Sequence, residues 1–348
     1  MYPRMYFYLK KLEHNTRIIV ERCKQNGIKV VGVTKVSCGI PEIGQAMLNG
    51  GAFALGESRL ENIKRIRSGC CGDPEIWLLR SPAISEISDV IEYVDVSLNT
   101  ELSVLAALSK EAEKRGKKHR VVLMVEMGDF REGILPSKLP QLYQEAAKFN
   151  GIKITGIGTN LYCFQSGPPT WETFTELENL NEQLKNDFGI SNLFITAGNS
   201  SALGLLKKTA VREAPLFDPS TSNHIFRIGE SIFLGRDLVT GEPLAECYLD
   251  ACIIEGEVIQ VQPKPLVQKS GDNRIVNQAI VAIGTQELGA GSLCPIDPNV
   301  HILGASSDHL VVVIEQQNIK VGSILSFIPN YQALLGLSDS SYVSKVLV

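Results

Sequence analysis

No charge of one sign dominates this chain, no apolar run is long enough to cross a membrane, and no cysteine framework or metal signature is present; each lack removes a class of function. Lysines and arginines number 34 against 38 aspartates and glutamates, a formal net charge of −4, so neither nucleic acid nor an anionic membrane surface is an expected partner. No stretch reaches about 18 consecutive apolar residues, and the opening MYPRMYFYLKKLEHN has no apolar core followed by a small-residue cleavage site. A soluble, cytoplasmic protein is the expectation. The eight cysteines (Cys23, Cys38, Cys70, Cys71, Cys163, Cys247, Cys252 and Cys294) are too dilute for a disulfide scaffold and form no CxxC pair, which fits reduced thiols. HExxH is missing and the five histidines show no metal spacing, so no metal site is expected. The segment GIGTNL, Gly156 to Leu161, lacks the third glycine of a dinucleotide fingerprint, and no Walker-type loop occurs. Small molecules remain as the default partners.

What is present is a normal core supply, 44% hydrophobic residues in 348, enough for roughly two domains of about 150 residues or one α/β barrel of about 250. The first two-thirds alternate short apolar or β-branched runs with longer amphipathic stretches, the pattern of βα units and a parallel sheet. Eight runs stand out: Val30 to Lys35, Ala52 to Gly56, Glu75 to Arg80, Val94 to Leu98, Val121 to Met127, Ile152 to Asn160, Leu193 to Thr196 and His224 to Ile228. Between them lie helical stretches such as Asn99 to Arg115 and Pro169 to Phe188. From about Gly235 the texture changes to closely spaced β-rich runs, at Ala251 to Val261, Ala279 to Ile283, Leu310 to Ile314 and Ile324 to Ile328, with no long helical period. The opening run Tyr6 to Leu9 is strand-like as well, and PKPLVQKSGDNR, residues 263–274, reads as an exposed loop. The expected fold is therefore α/β: a (β/α)8 TIM-like barrel over residues 10–235, then a mostly-β C-terminal domain over 236–348 that the N-terminal strand 1–9 joins.

In such barrels the C-terminal strand ends build the active site. Here those ends are polar: Lys35, Glu57 with Ser58 and Arg59, Arg80, Asn99, Arg131, Asn160, Asn199 with Ser200, and Arg227. Some of these cap helices or pair with carboxylates, but arginines, a lysine and asparagines gathered on one rim point to an anionic ligand such as a phosphate with a carboxylate. Lys35 ends the apolar VVGVTK, which predicts a largely desolvated stem and an amine prepared for Schiff-base chemistry by burial and neighbouring arginines; a snorkelling rim lysine is the competing reading. ITAGNSSALG and RIGESIFLG each place glycine and polar groups between a strand and a helix, where backbone N–H groups hold phosphate.

Taken together, VVGVTKVSC, MVEMGDFREG, ITGIGTNLYC, AGNSS, RIGESIFLGR, AIVAIGTQE, LCPID and LGASSDHL resemble the alanine racemase family of pyridoxal-phosphate enzymes, and within it the ornithine racemase branch, across essentially the whole chain. The resemblance implies pyridoxal 5'-phosphate bound as an imine, a homodimer with its active sites at the subunit interface, and an amino-acid substrate. It makes Lys35 the imine-forming lysine that exchanges the α-proton on one face, Arg227 the residue facing the pyridine nitrogen, and Arg131 the one near the cofactor's phenolic oxygen. Ser200, Gly229 and Glu230 fall where the phosphate is held, the last two through their N–H groups, with Asn199 and Asn160 beside the cofactor. Tyr342, or in its place Tyr331, corresponds to a C-terminal tyrosine reaching the phosphate. An arginine opposite the ring nitrogen cannot give up its proton, so the pyridine stays unprotonated and simple proton exchange is favoured over side reactions.

The sequence also departs from the family. Thr285 stands where the opposite-face tyrosine base belongs, so the second base is sought at Asp308, His309, Asp297, Cys38 or Cys163. Met124 replaces a modified lysine, Asn160 a ring-stacking histidine, and Cys38 with Gly39 stand near the place of a phosphate-binding tyrosine. The leading expectation is an isomerase that interconverts L- and D-ornithine, or a related amino acid such as lysine, alanine or serine. A cationic substrate tail calls for a carboxylate, for which Glu287, Asp297, Glu230 and Asp237 are candidates. Two alternatives stay open: a non-catalytic pyridoxal-phosphate carrier, whose chains stop after the barrel whereas about 110 residues follow Gly235 here, and a D-amino-acid decarboxylase or aldolase on the same scaffold.

Overall fold

The structure is a computed structural model that describes residues 2–190, 193–206, 217, 222–266, 274–315 and 318–348. Its chain divides into two compact units, one made of Leu12–Lys35 and Gly39–Cys247, the other of Met1–Lys11, Val36–Cys38 and Tyr248–Val348.

After the strand β1 (Arg4–Phe7), the first unit closes eight parallel strands into a barrel: β2 (Ile28–Val33), β3 (Ala54–Glu57), β4 (Ile76–Leu78), β5 (Val96–Asn99), β6 (His119–Met124), β7 (Ile152–Gly158), β8 (Phe194–Gly198) and β9 (His224–Ile228). Each of the eight runs read from the sequence overlaps one of these strands, with ends that differ by up to two residues for most of them. They were legible because strands of a parallel sheet are covered on both faces and read as continuous apolar runs. Val31, Ala54, Trp77, Val96, Leu98, Val122, Met124 and Ile225 form one buried cluster, with Phe194 packed against it. The helices α1 (Leu9–Lys24), α2 (Pro41–Asn49), α3 (Leu60–Gly69), α4 (Ile87–Tyr93), α5 (Leu102–Lys114), α6 (Leu139–Ala146) and α7 (Trp171–Phe188) follow the strands. In α5, Val104, Leu105, Leu108 and Ala112 are buried at helical spacing, while its charged residues face out. A short helix α8 (Glu230–Leu234) follows β9 directly and ends on Gly235 at φ +65, a left-handed position suited to glycine.

The second unit is an eight-stranded sheet. Its main path runs β12 (Leu293–Pro295), β15 (Ile324–Pro329), β10 (Cys252–Pro265), β11 (Ile275–Val281), β14 (Leu310–Ile314) and β13 (Val300–Ala305); β1 pairs antiparallel with β10 and parallel with β16 (Ser344–Leu347). The opening strand thus enters this sheet, over Arg4–Phe7.

Two readings need correction. The expected loop at 263–274 begins inside a strand: Pro263, Lys264 and Pro265 pair with Asn277, Val276 and Ile275, while residues 267–273 lie outside the described ones. Among the described residues that end of β10 pairs with β11 alone, since β15 pairs at Ile254–Glu257, and a two-stranded ribbon tolerates proline where an interior strand does not. The β-rich region also holds helices, α9 (Thr285–Leu288) and the nine-residue α10 (Tyr331–Asp339), the latter capped by Asn330 Oδ1 accepting from the Ala333 N–H at 2.9 Å. Among the described residues no helix is long and apolar enough to cross a membrane, and no group of three or more metal-ligating side chains gathers. All eight cysteines are free thiols.

Candidate active site

The polar groups gather at the ends of β2, β6, β7, β8 and β9. On β9, Ile225 belongs to the buried apolar cluster, so the strand's period of two places Arg227 on the same face, at the strand's C-terminal end. Arg227 is 6% exposed. Its Nη2 donates to the Thr159 carbonyl at 2.6 Å and lies 3.3 Å from Asn160 Oδ1, both neutral acceptors, and Nη1 is buried without a partner among the described residues. Burial pulls this guanidinium's pKa down to about 10, against the opposing pull of Cys163 and Glu132.

Asn160 is a link in a longer chain. Its Nδ2 donates to Glu132 Oε1 at 2.6 Å, and the same oxygen takes Arg131 Nη2 at 3.0 Å. Arg131, Asn160 and Arg227, which the sequence placed on one rim, are therefore connected, and the connector is Glu132, which sequence reasoning passed over. Glu132 sits 28 residues from Asn160 in the chain, and only closure of the loop after β6 brings them together. That loop turns at Gly133, φ +147, where a Cβ would stand 2.5 Å from the Glu126 nitrogen.

The loop after β7 is built on Asp129, whose Oδ1 accepts from the Cys163 and Phe164 N–H groups at 3.0 and 2.9 Å and from Ser166 Oγ at 2.8 Å. Burial raises this carboxyl, but the hydrogen bonds outweigh it and hold it below the usual range. The loop brings Cys163 to Asn199, whose Nδ2 reaches the Leu161 carbonyl at 2.6 Å and Cys163 Sγ at 3.6 Å. Asn199 Oδ1 in turn accepts from the Ser201 N–H and hydroxyl. Ser200 Oγ accepts from the Ser231 N–H at 3.2 Å, while Ser231 Oγ is buried without a partner.

Lys35 begins a 3-10 turn, Lys35–Ser37, two residues past the end of β2. The expected desolvation of its stem is not found. Lys35 is exposed, because Val36 and Ser37 take the turn's buried positions. β2 and β9 pair in parallel with Gly32 opposite Ile228, so Lys35 and Glu230 extend from adjacent strand ends. Burial raises the Glu230 carboxyl to about 7 and the Lys35 ammonium draws it down.

Other rim residues serve the frame instead. Arg80 is held by both oxygens of Glu86 at 2.9 and 3.0 Å. Asn99 Nδ2 donates to the carbonyl and hydroxyl of Ser97. Of the carboxylates considered for a cationic tail, Asp237 accepts from the Val239 and Thr240 N–H groups, Glu287 from the Gly284 N–H, and Asp297 from Asn299; each shapes a turn. In the β-sheet unit, Asp308 accepts from Gln286 and Ser307, His309 is exposed, Tyr331 opens α10 and Tyr342 is exposed.

Comparison with known proteins places this rim in a context. The model of the alanine racemase N-terminal domain matches residues 8–214. An ornithine racemase of Acetoanaerobium sticklandii is 33% identical over 364 aligned positions, covering 100% of both chains. The chain belongs to the alanine racemase family. A lysine racemase of Thermotoga maritima is likewise 33% identical, over 99% of this chain and 98% of its own. Among solved structures, an alanine racemase from Bartonella henselae with covalently bound pyridoxal phosphate superposes with a TM-score of 0.73 at 14% identity, covering 100% of each chain, which shows a shared fold.

For a member of the alanine racemase family the question is whether these side chains suit pyridoxal phosphate. They do. Among the described residues Arg227 Nη1 and Ser231 Oγ are buried donors with no partner, and a phosphorylated pyridine offers acceptors. At Gly229 a Cβ would meet the Cβ and carbonyl oxygen of Val33 at 2.9 Å, so the backbone runs close where only glycine fits.

Proposed function

We propose that this member of the alanine racemase family is a pyridoxal-phosphate-dependent amino-acid racemase, an isomerase, and that it interconverts the enantiomers of ornithine or lysine. The observation that carries the reading is Arg227: a buried guanidinium on the barrel-lumen parity of β9 that, among the described residues, is touched by neutral acceptors and keeps one nitrogen unpaired. The 33% identity to an ornithine racemase and to a lysine racemase supports the choice of substrate.

Pyridoxal phosphate, when bound, supplies an electron sink that acidifies the Cα proton of an amino acid. The chain's own residues then divide the work. Lys35, exposed beside Glu230, takes up and returns a proton on one face, as a general base must when it lies within reach of Cα. Arg227 stays charged, because even at about 10 its pKa stands well above neutrality, and so it donates a hydrogen bond without surrendering the proton. Arg131 offers a half-exposed cation for the substrate carboxylate or the phenolic oxygen. Ser200 with the N–H groups of Gly229 and Glu230 holds the phosphate, assisted by Tyr342. Asp308 or His309 supplies the proton on the opposite face, and Glu230, the one carboxylate of the four not engaged in a turn, answers the cationic tail.

The functional division that accompanies this reading is a cofactor-binding barrel over residues 10–235 and a β-rich domain over 236–348 with strand 1–9. We assign the protein to the cytoplasm, in keeping with eight free thiols. A homodimer with active sites at the subunit interface is supported by Phe130, Leu135 and Phe164, which are strongly exposed on the same loops that carry Arg131 and Cys163. The test is incubation of the purified protein and pyridoxal phosphate with single enantiomers of ornithine, lysine, alanine and serine. The expected result is appearance of the other enantiomer of ornithine or lysine on chiral chromatography. Carbon dioxide or aldehyde release would indicate decarboxylation or aldol cleavage instead, and cofactor binding without turnover a carrier.

A further inference from the structure

Arg227 presents an electrostatic problem that its own contacts do not solve. Among the described residues its buried charge rests on a backbone carbonyl and an amide oxygen, and a buried cation with no counter-charge in contact is costly. The nearest carboxylate along the hydrogen-bond chain is that of Glu132, one amide group away.

The two ends of an asparagine amide are distinguished by their neighbours. At Asn160 the carboxylate settles the matter. Glu132 Oε1 can only accept, so Nδ2 faces it at 2.6 Å, and Oδ1 is left facing the N–H of Arg227. Turned the other way, the amide would set an NH2 against a guanidinium N–H and an oxygen against a carboxylate, repulsive at both ends. The same Oε1 takes Arg131 at 3.0 Å.

We propose that Glu132 is a positioning residue of the site: its carboxylate fixes the Asn160 amide and through it the Arg227 guanidinium, while holding Arg131 directly. The inference deepens the racemase reading and rests on it, because the two arginines matter as cofactor and substrate contacts only there. The negative charge is the working feature. A neutral amide in its place can still touch Asn160, but it offers an uncharged, weaker acceptor and removes the counter-charge that both arginines share.

The test is a cycle of four full-length proteins, wild type, E132Q, N160A and E132Q/N160A, each titrated with pyridoxal phosphate while the pH dependence of the bound cofactor's absorbance is recorded. E132Q is isosteric and is expected to weaken cofactor binding about tenfold, the size of one charge-assisted hydrogen bond, and to shift the absorbance profile. The double variant is expected to lose clearly less than the product of the two single losses, since part of the carboxylate's effect passes through the amide and only its direct hold on Arg131 remains to be lost in N160A. Wild-type affinity and profile in E132Q, or a double variant whose loss is the product of the single losses, would overturn the proposal. Urea unfolding of the same four proteins separates this from failure of the racemase reading. If the wild type does not bind the cofactor, that reading falls, and the linkage is judged by unfolding: non-additivity of at least about threefold in the equilibrium constants supports it, and additivity overturns it.

Discussion

Thr34, the residue before Lys35, is tied to Glu57 by a hydrogen bond of 3.1 Å from Oγ1 to Oε2, and its own N–H meets the Gly56 carbonyl at 3.0 Å. The exposed lysine thus stands on a backbone anchored to the neighbouring strand. Glu57 is fully buried and also accepts from the Ser58 and Arg59 N–H groups at 2.6 and 3.3 Å and from Asn62. Burial lifts its pKa above the usual carboxylate value even against these donors. Glu57→Ala strands several buried donors at once and should cost about 2–4 kcal/mol in urea unfolding. A loss under about 0.5 kcal/mol would show that the anchor does not bear on the barrel.

Gly229→Ala sets a methyl group 2.9 Å from Val33, on the strand that leads to Lys35. Neither backbone can retreat without disturbing the β2–β9 pairing. The expected outcome is a stability loss of about 1–3 kcal/mol, read by urea unfolding, together with weakened binding in a pyridoxal-phosphate titration.

Glu230 makes stability depend on pH in the direction opposite to an ion-paired carboxylate. Its carboxyl is raised from 4.5 to about 7 by burial, partly offset by Lys35, so the folded state holds the proton more tightly than the unfolded state. Stability is fully present below 4.5 and falls as pH rises toward 7. Glu230→Gln should therefore melt about 2–4 °C above wild type at pH 8, with the gap closing at pH 5, in thermal scans at both pH values.

His119 works the other way. Its ring bonds Ser97 Oγ at 2.8 Å, and burial lowers its pKa from 6.5 to about 4. The unfolded chain binds this proton and the folded chain does not, so stability is present above 6.5 and lost as pH falls toward 4. Between pH 7 and pH 5 the wild type should lose about 2 kcal/mol more than His119→Gln in urea unfolding.

The barrel was legible because each of its strands is short, apolar and covered on both faces, so a linear pattern carries the information. The sheet's margins were not. β13 and β16 are largely half-buried or exposed, as in V-H-I-L-G-A, and without a buried face a strand leaves little trace in sequence. Lys35, Arg131, Asn160 and Arg227 were legible as strand-end residues, and their family resemblance named roles for them. Glu132 was not, because its significance lies in one oxygen shared by two side chains, one of them 28 residues away. Nor could the sequence tell that Arg80 and Asp237 are engaged in the frame, since a carboxylate or guanidinium at a strand end looks the same whether it caps a turn or meets a ligand.

The central claim is that Lys35 moves the Cα proton of a basic amino acid at a site organised by Arg227. Proton NMR of L-ornithine in deuterium oxide with the cofactor-loaded enzyme tests it most directly, with L-lysine run alongside. The Cα signal of at least one of the two substrates should disappear as deuterium enters, in step with formation of the D-enantiomer, and Lys35→Ala should abolish both. Retention of the Cα proton in both substrates by the wild type, or exchange that persists undiminished in Lys35→Ala, would contradict the account.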